Sequence, residues 1–540
     1  MQKLHVVRLL AVLLILAMVF AGCQSNSSSS SQSSSESLSV SGSGPSDSEL
    51  EAVVLEYYMP EKEQTDAAKV WEEINKYVTE KINATVNIHW IEGAEYSRKM
   101  SAIIGAGQEF DLCASPSVYL SFSVNAANGA FVELDDLLTE YAPDLLNELP
   151  AYVLEGGKIN GKIYGVPSYK DVANVFSIRW NETLREELGV DKELLTSEYS
   201  FLQEKYEAAL DFKTKRDAAY PETADYPVFK TVHDNLAMWC AYDEIVNYVS
   251  TNVGGVEYFA GQGAGEKVFN VFDTPEFVQI CKDIRKFVDA RLIPQYQENF
   301  DEDNALLNTG IIPLRTSQGI VSIKPDIDGD WVAEMNRSKV AISSTGYLQS
   351  AITAVSTSSK NPERAVMYMN LQYSDEYIAT ASRFGIEGVH YNIVQDDNGN
   401  DRLDFTGTPN GAEALSDRTY YNWYGAQWGN LFKCILPINQ PDDVFEKLQK
   451  MNEDAGQYET NLGFVFNQES VVNEIAACAG VIDEFRKPLM AGAYPEDQIE
   501  AKCAEFVEKL KANGIQKIVD EAQSQLNEWR AAQGKTTYKG

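Results

Sequence analysis

Basic side chains and histidines are scarce in this sequence. Its 540 residues include 45 lysines and arginines against 80 aspartates and glutamates, and the formal net charge is −35. A surface this acidic repels phosphate backbones, which excludes a nucleic acid as a partner. The few histidines are scattered, so no histidine-based metal site is predicted; they are His5, His89, His233 and His390.

Cysteine pairs are missing as well. Apart from Cys23 there are six cysteines, with no CxxC pair and no spacing typical of metal ligands: Cys113, Cys240, Cys281, Cys434, Cys478 and Cys503. An exported chain could pair some of them, but several lie in apolar runs, where a free cysteine behaves as a small hydrophobic residue. We therefore predict free core thiols and no bound metal.

Motifs of catalysis are absent too. The sequence has no GxSxG elbow, no HExxH, no phosphate-binding P-loop and no dinucleotide fingerprint. Acidic pairs such as Glu133 and Asp135 occur, but in a chain this rich in carboxylates they are weak evidence for a glycosidase. We expect a protein that is not an enzyme and uses no cofactor.

After its first residues the chain contains no apolar run long enough to span a bilayer. At the start, Lys3 and Arg8 precede a short apolar run that ends in Phe20-Ala21-Gly22-Cys23, which resembles a lipobox. The alternative is an ordinary secretory signal followed by a chance cysteine. More than half of residues 24–50 are serine, which is typical of a flexible linker and favours the lipoprotein. We predict a signal peptide over residues 1–22, a lipidated Cys23, a linker to residue 50, and a position on the outer face of the cell membrane, held there by the lipid alone.

The pattern after residue 50 predicts alternating strands and helices. Strands at 53–58, 84–90 and 110–113 alternate with helical segments, which is typical of a sheet covered by helices. Ligands bind beyond the carboxyl ends of the strands in such sheets, so Tyr58 and Ser117 are candidate ligand contacts. Asn160-Gly161 predicts a type I′ hairpin turn, and Tyr169 and Lys170 follow it, where we place a crossover between lobes.

Aromatic side chains are abundant, with 8 Trp and 28 Tyr. The densest cluster, residues 420–428 (YYNWYGAQW), mixes rings with Asn, Gln and Gly, as loops that bind sugars do. Trp423 and Trp428 in this cluster are candidate stacking platforms, although either could be a core residue. Trp239 is a further candidate, and its apolar neighbours fit a buried helix equally well.

Several segments resemble the extracellular solute-binding lipoproteins of ABC import systems, particularly the large oligosaccharide-binding branch of Gram-positive bacteria. They are residues 161–167 (GKIYGVP), 361–365 (NPERA), 385–391 (GIEGVHY), 462–466 (LGFVF) and 521–526 (EAQSQL). The resemblance implies an α/β fold of two lobes, each a mixed sheet flanked by helices, joined by several hinge crossovers. By analogy, lobe 1 takes residues 51–170 with a segment returning at about 345–400. Lobe 2 takes 171–344, and 401–540 adds the rest of lobe 2 with two amphipathic helices.

The same resemblance implies a function. We expect a monomer that captures an oligosaccharide by closure of the two lobes and delivers it to the transmembrane subunits of an ABC permease. A peptide or another solute is the alternative ligand, and an exported enzyme acting on polysaccharides is the alternative class of protein.

Overall fold

The computed structural model describes residues 50–173, 176–231, 235–253, 256–294, 311–318, 336–337, 341–412, 417–422, 427–458 and 461–540. The predicted signal peptide, Cys23 and almost all of the serine-rich linker lie outside these ranges. Within the described residues no helix has the length and apolar character needed to cross a membrane.

The first lobe is built from the N-terminal third of the chain. Its elements are β1 (Val53–Met59), α1 (Ala67–Ile82), β2 (Ala84–Trp90), α2 (Gly93–Gly105), β3 (Leu112–Ala114), α3 (Phe122–Ala127), α4 (Asp135–Tyr141), α5 (Pro143–Glu148), α6 (Ala151–Glu155), β4 (Lys158–Ile159), β5 (Lys162–Ile163) and β6 (Val166–Pro167). Alternate residues of β1 (Leu55, Tyr57 and Met59) are buried, and α1 buries residues spaced by four along one face (Val70, Ile74, Val78 and Ile82). The buried residues recur every two positions in β1 and every four in α1, and they place the apolar face of α1 against the sheet.

The second lobe follows the first crossover. Its elements are β7 (Phe176–Trp180), α7 (Glu182–Leu188), α8 (Lys192–Thr196), α9 (Tyr206–Ala219), β8 (Phe229–Lys230), β9 (Asp243–Val246), β10 (Val249–Thr251), β11 (Phe269–Asn270), α10 (Pro275–Asp289), β12 (Leu314–Gln318) and β13 (Asn336–Arg337). They form a four-stranded sheet in the order β13-β7-β12-β8 and a three-stranded sheet in the order β11-β10-β9.

The last part of the chain contributes to both lobes. Its elements are α11 (Thr345–Leu348), β14 (Ile352–Val355), α12 (Pro362–Ser374), α13 (Glu376–Phe384), β15 (Asn392–Gln395), β16 (Asp401–Asp404), β17 (Leu436–Pro437), α14 (Val444–Tyr458), α15 (Val472–Met490), α16 (Glu496–Ala512) and α17 (Ile515–Ala532). Strand β14 returns to the lobe 1 sheet, whose order is β2-β1-β3-β14-β6. Strands β1, β2 and β3 are mutually parallel, whereas β14 is antiparallel to β3.

The two-lobed α/β fold is confirmed, with mixed sheets and flanking helices. The chain passes between the lobes near residues 168–176, 341–351 and 461–471. The hairpin predicted at Asn160-Gly161 joins β4 and β5, and both turn residues have positive φ, 52° and 81°, as a type I′ turn requires. All six cysteines after Cys23 are buried.

The assignment of residues 401–540 to lobe 2 needs correction. Tyr420 and Trp428 lie in the core of lobe 1, and the sheet of β15, β16 and β17 packs with α14 as a small core beside it. The helices α15, α16 and α17 do join the core of lobe 2. The division therefore falls between α14 and α15, near residue 460.

A buried polar contact accounts for this attachment to lobe 1. Asp66, at the start of α1, accepts hydrogen bonds from Thr419 Oγ1 at 2.5 Å and from Asn410, and its Oδ2 lies 3.1 Å from His390 Nε2. His390 is buried, and its Nδ1 accepts the backbone N–H of Ile386. The segment 385–391 thus ties the later chain to lobe 1 through residues more than 300 positions apart in sequence.

Candidate ligand-binding cleft

The carboxyl ends of β1, β2 and β3 meet at one edge of the lobe 1 sheet. The chain leaves them at Pro60, Ile91 and Ser115. The loop after β3 is held to the segment before β14, because the Ser117 N–H donates to the Gln349 carbonyl at 3.0 Å. This edge is where a ligand is expected in an open α/β sheet.

A cavity of about 160 Å³ lies between the two lobes, and Gln349, which holds the loop after β3, is one of its lining residues. Lobe 1 contributes Ser123, lobe 2 contributes β9, and two crossovers complete the wall. The lining residues are Ser123, Asp243, Glu244, Ile245, Thr345, Gly346, Gln349, Asn461, Phe464, Val465, Phe466 and Gln468. The lining combines two aromatic rings with hydroxyl, amide and carboxyl groups, as sites for polar ligands with apolar faces do.

One wall is a segment that we call the strap, residues 461–468. Its side chains enter both lobes: Leu462 and Val465 pack into lobe 1, whereas Phe464 and Phe466 pack against the core of lobe 2. The Gly463 N–H donates to Thr345 Oγ1 at 2.9 Å, which joins the strap to the second crossover. The strap is therefore a hinge element and a wall of the cavity at once.

The helix α17 holds the strap in place. Gln525 donates to the Asn467 carbonyl and accepts the Asn467 N–H, each at 2.9 Å. Arg530 donates to Asn461 Oδ1 at 2.7 Å, and the Trp529 ring meets Phe464 edge-on at 5.9 Å. The C-terminal helices thus position the two phenylalanines that line the cavity.

Two acidic side chains at the start of β9 face the cavity. Burial, together with the neighbouring Glu244 charge, raises the pKa of Asp243 to about 7. Burial also raises the pKa of Glu244. Two interactions lower that pKa in part: the hydrogen bond that the Tyr248 N–H donates to the Glu244 carboxylate, and the charge of Arg486. Carboxylates of this kind accept hydrogen bonds from ligand hydroxyls.

A second acidic group lies just beyond β1. Glu61 accepts a hydrogen bond from Asn422 Nδ2 at 3.0 Å and lies beside the Trp428 indole. Burial raises the pKa of Glu61 to about 7, against opposing contributions from Trp428, from the Arg383 charge and from Asn422. Tyr421 N–H donates to Gln64 Oε1 at 2.8 Å, so the described first residues of the aromatic cluster, 420–422, lie next to the loop that follows β1.

Glu61→Gln should stabilise the empty protein above neutral pH. With a raised pKa in the folded state, Glu61 favours folding at acid pH, and that contribution is lost as the pH rises from 4.5 through 7. Glutamine keeps the acceptor for Asn422 without the buried charge. Because the side chain keeps some contact with water, we expect a gain on the order of 1–2 kcal/mol at pH 8. Urea unfolding at pH 8 and pH 5 measures it, and an equal gain at both pH values would contradict this account.

Four of the predicted site residues are found at the edge or at the hinge. Tyr58 is the second-last residue of β1, and its half-buried ring stacks on His89 with ring centres 4.3 Å apart. Ser117 is exposed in the loop after β3. Tyr169 and Lys170 lie buried in the first crossover. There the Tyr169 ring packs on Phe432, and Lys170 Nζ lies 3.2 Å from Asp171 Oδ1. Their positions suit a hinge, and none of the four lines the cavity.

The tryptophan hypotheses need correction. Trp239 is 1% exposed in the core of lobe 2, where its ring meets Phe287 edge-on at 5.6 Å. Trp428 is 2% exposed, and its ring centre lies 5.4 Å from that of Trp71 and 5.9 Å from that of Trp90. Both rings are enclosed by protein, so neither offers a face to a ligand in this structure. Trp423 lies outside the described residues and stays a prediction.

The sequence reasoning missed an exposed ring at the same edge. Tyr119, in the loop after β3, is 40% exposed, and its ring covers Gly93 at the start of α2. A Cβ at position 93 would lie 2.6 Å from Tyr119 Cζ, so only glycine lets the ring lie there. Residues 462–466 resemble a segment of the solute-binding lipoproteins, but the sequence of this segment does not indicate that Phe464 and Phe466 face a cavity.

Comparison with known proteins agrees with this architecture. Residues 61–236 match the family of bacterial extracellular solute-binding proteins, and residues 460–531 match a domain of unknown function, DUF3502. A carbohydrate ABC transporter substrate-binding protein of Streptococcus pneumoniae serotype 4 is 25% identical over 473 residues, which are 84% of this chain and 86% of that protein. The chain is thus similar in sequence to bacterial extracellular solute-binding proteins, one of them the substrate-binding protein of a carbohydrate ABC transporter.

Solved structures of solute-binding proteins share the fold. The N-glycan transport solute-binding protein NgtS of S. pneumoniae superposes with a TM-score of 0.71 at 23% identity, covering 88% of this chain and 98% of NgtS. A solute-binding protein of Bifidobacterium longum infantis that binds human milk oligosaccharides gives a TM-score of 0.58 at 16% identity, covering 88% of this chain and 99% of that one. The DUF3502 match covers residues 460–531, so in this chain it comprises the strap and α15 to α17.

Proposed function

We propose that the protein captures an oligosaccharide between its two lobes and delivers it to an ABC permease. The observation that carries this proposal is the inter-lobe cavity, in which Phe464 and Phe466 lie among hydroxyl, amide and carboxyl groups. The apolar face of a sugar ring packs on an aromatic ring, and its hydroxyls require the polar groups around it. Relatives support a carbohydrate, since NgtS structures include complexes with Man1GlcNAc and Man5GlcNAc.

The hinge gives the proposed capture its mechanism. The described residues include three crossovers between the lobes, and the strap has side chains in both lobes. Closure on a ligand would therefore move the strap together with the walls of the cavity. A permease that binds the closed form would then distinguish loaded receptors from empty ones.

A thermal-shift screen over oligosaccharides tests this proposal. A ligand present at 100 times its dissociation constant adds about 2.7 kcal/mol to the free energy of unfolding. We expect one class of oligosaccharide to raise the melting temperature, with titration calorimetry giving one site per chain. A shift with peptides alone would favour the peptide alternative, and new reducing ends after incubation with glycans would favour an enzyme.

We further propose that a lipid on Cys23 anchors the protein to the outer face of the membrane. This rests on the motif at residues 20–23 and on the serine-rich linker that follows. Cys23→Ser removes the thiol that would carry the lipid, so the variant should be released into the medium or remain unprocessed. Fractionation of cells and medium with an antibody measures this, and a processed variant that stays on the membrane would contradict the anchor.

A further inference from the structure

The charged groups that line the inter-lobe cavity all have one sign. Its lining contains the carboxylates of Asp243 and Glu244, and neither lysine nor arginine is among the lining residues, all of which the structure describes. The other polar groups there are neutral hydroxyls and amides. A ligand that enters the cavity therefore meets acceptors and negative charge.

The nearby basic side chains do not neutralise the negative charge of Asp243. Arg486 acts on Glu244, and its guanidinium lies 5.6 Å from the centre of the Tyr248 ring. Arg530 lies behind the strap, bound to Asn461 and Thr536. Burial and the charge of Glu244 both raise the pKa of Asp243, and no cation among the described residues opposes them.

One row of basic residues elsewhere in lobe 2 does not alter this balance. Arg179, Arg315 and Lys230 are neighbours across β7, β12 and β8. All three have further interactions within the chain, and none lines the cavity. After residue 50, the segments outside the described residues contain Lys324 and Lys339 as their only lysines or arginines, among many more acidic residues.

We propose that the site selects uncharged oligosaccharides and rejects those that carry a carboxylate or a sulfate. This inference rests on the proposed function and names the ligand class for the same cavity. Like charges about 4 Å apart repel more strongly near a protein surface than in bulk water, so an acidic sugar should bind at least about 10-fold more weakly. A sugar hydroxyl in the same place donates a hydrogen bond to Asp243 instead.

Matched pairs of sugars test the selection. Calorimetry at pH 8, above the raised pKa of Asp243, compares lacto-N-tetraose with its sialylated form and galactotetraose with tetragalacturonate. The members of each pair differ in charge but share a backbone. We expect the neutral member of any pair that binds to be at least about 10-fold tighter. Tighter binding of an acidic member overturns this inference and leaves the proposed function standing. If no neutral or acidic oligosaccharide binds in these pairs or in the wider screen, the proposed function fails and the inference fails with it.

Substitution of the two carboxylates separates the charge from the shape of the cavity. The double variant Asp243→Asn, Glu244→Gln keeps the size of both side chains, and it should reduce the preference for the neutral member at least about threefold. The exposed Asp497→Asn is the control and should leave the preference unchanged. The ratio of two dissociation constants measured on one variant does not depend on the fraction of protein folded. A double variant with an unchanged ratio would contradict the role given to Asp243 and Glu244.

Discussion

Trp428→Ala should lower the free energy of unfolding by about 3–5 kcal/mol, the usual cost of truncating a buried tryptophan. The Trp428 ring fills the space between Tyr57 of β1, Trp71 of α1 and Trp90 of β2. Alanine would leave a cavity lined by rings whose positions are fixed by the sheet and by α1, so the site has little freedom to collapse. Denaturant unfolding of the empty protein measures the loss.

Two variants serve as comparisons for this prediction. Trp428→Phe retains an aromatic ring in the same space and should lose clearly less stability than alanine. Trp239→Ala should behave like Trp428→Ala, because its ring is equally enclosed in lobe 2. If Trp428→Ala keeps its unfolding midpoint but loses ligand affinity, the original interpretation of Trp428 as a stacking platform was right and the core assignment is wrong.

The regular elements of lobe 1 could be predicted because their signals are local. In β1 every second residue is apolar, and in α1 apolar residues recur every three or four positions, so each pattern indicates its element without knowledge of the rest of the fold. The turn at Asn160-Gly161 is equally local, since both residues tolerate positive φ. The parallel order of the strands then followed from their alternation with helices.

The candidate site could not be predicted in the same way, because residues far apart in sequence form it. Ser123, Asp243 and Phe464 meet only after the chain has crossed between the lobes. The ring-rich loop misled for a related reason. Aromatic rings are common both in sugar-binding loops and in cores. Trp428 is a core residue because its ring packs against Trp71 and Trp90, which lie more than 300 residues earlier in the sequence.

Tyr119→Ala should weaken oligosaccharide binding by about 2 kcal/mol, roughly 30-fold, while the stability of the empty protein changes little. The Tyr119 ring covers Gly93 beside the carboxyl edge of the lobe 1 sheet and is 40% exposed, so part of the ring is open to a ligand at this edge. Truncation removes a contact that forms only with ligand, and it leaves no cavity in a core. Titration calorimetry and thermal melting of the same variant measure the two effects.

A second tyrosine provides a matched control for Tyr119. Tyr226 is also 40% exposed, but it belongs to lobe 2, in the turn before β8, and not to the loops at the carboxyl edge of the lobe 1 sheet. Tyr226→Ala should bind ligand as the unaltered protein does, so any general effect of losing an exposed ring is subtracted. Gly93→Ala supplies a further test, because its methyl group would displace the ring and should lower affinity even though Tyr119 is present. Normal binding by both Tyr119→Ala and Gly93→Ala would remove this ring from the site and leave Phe464 and Phe466 as the aromatic groups that meet the sugar.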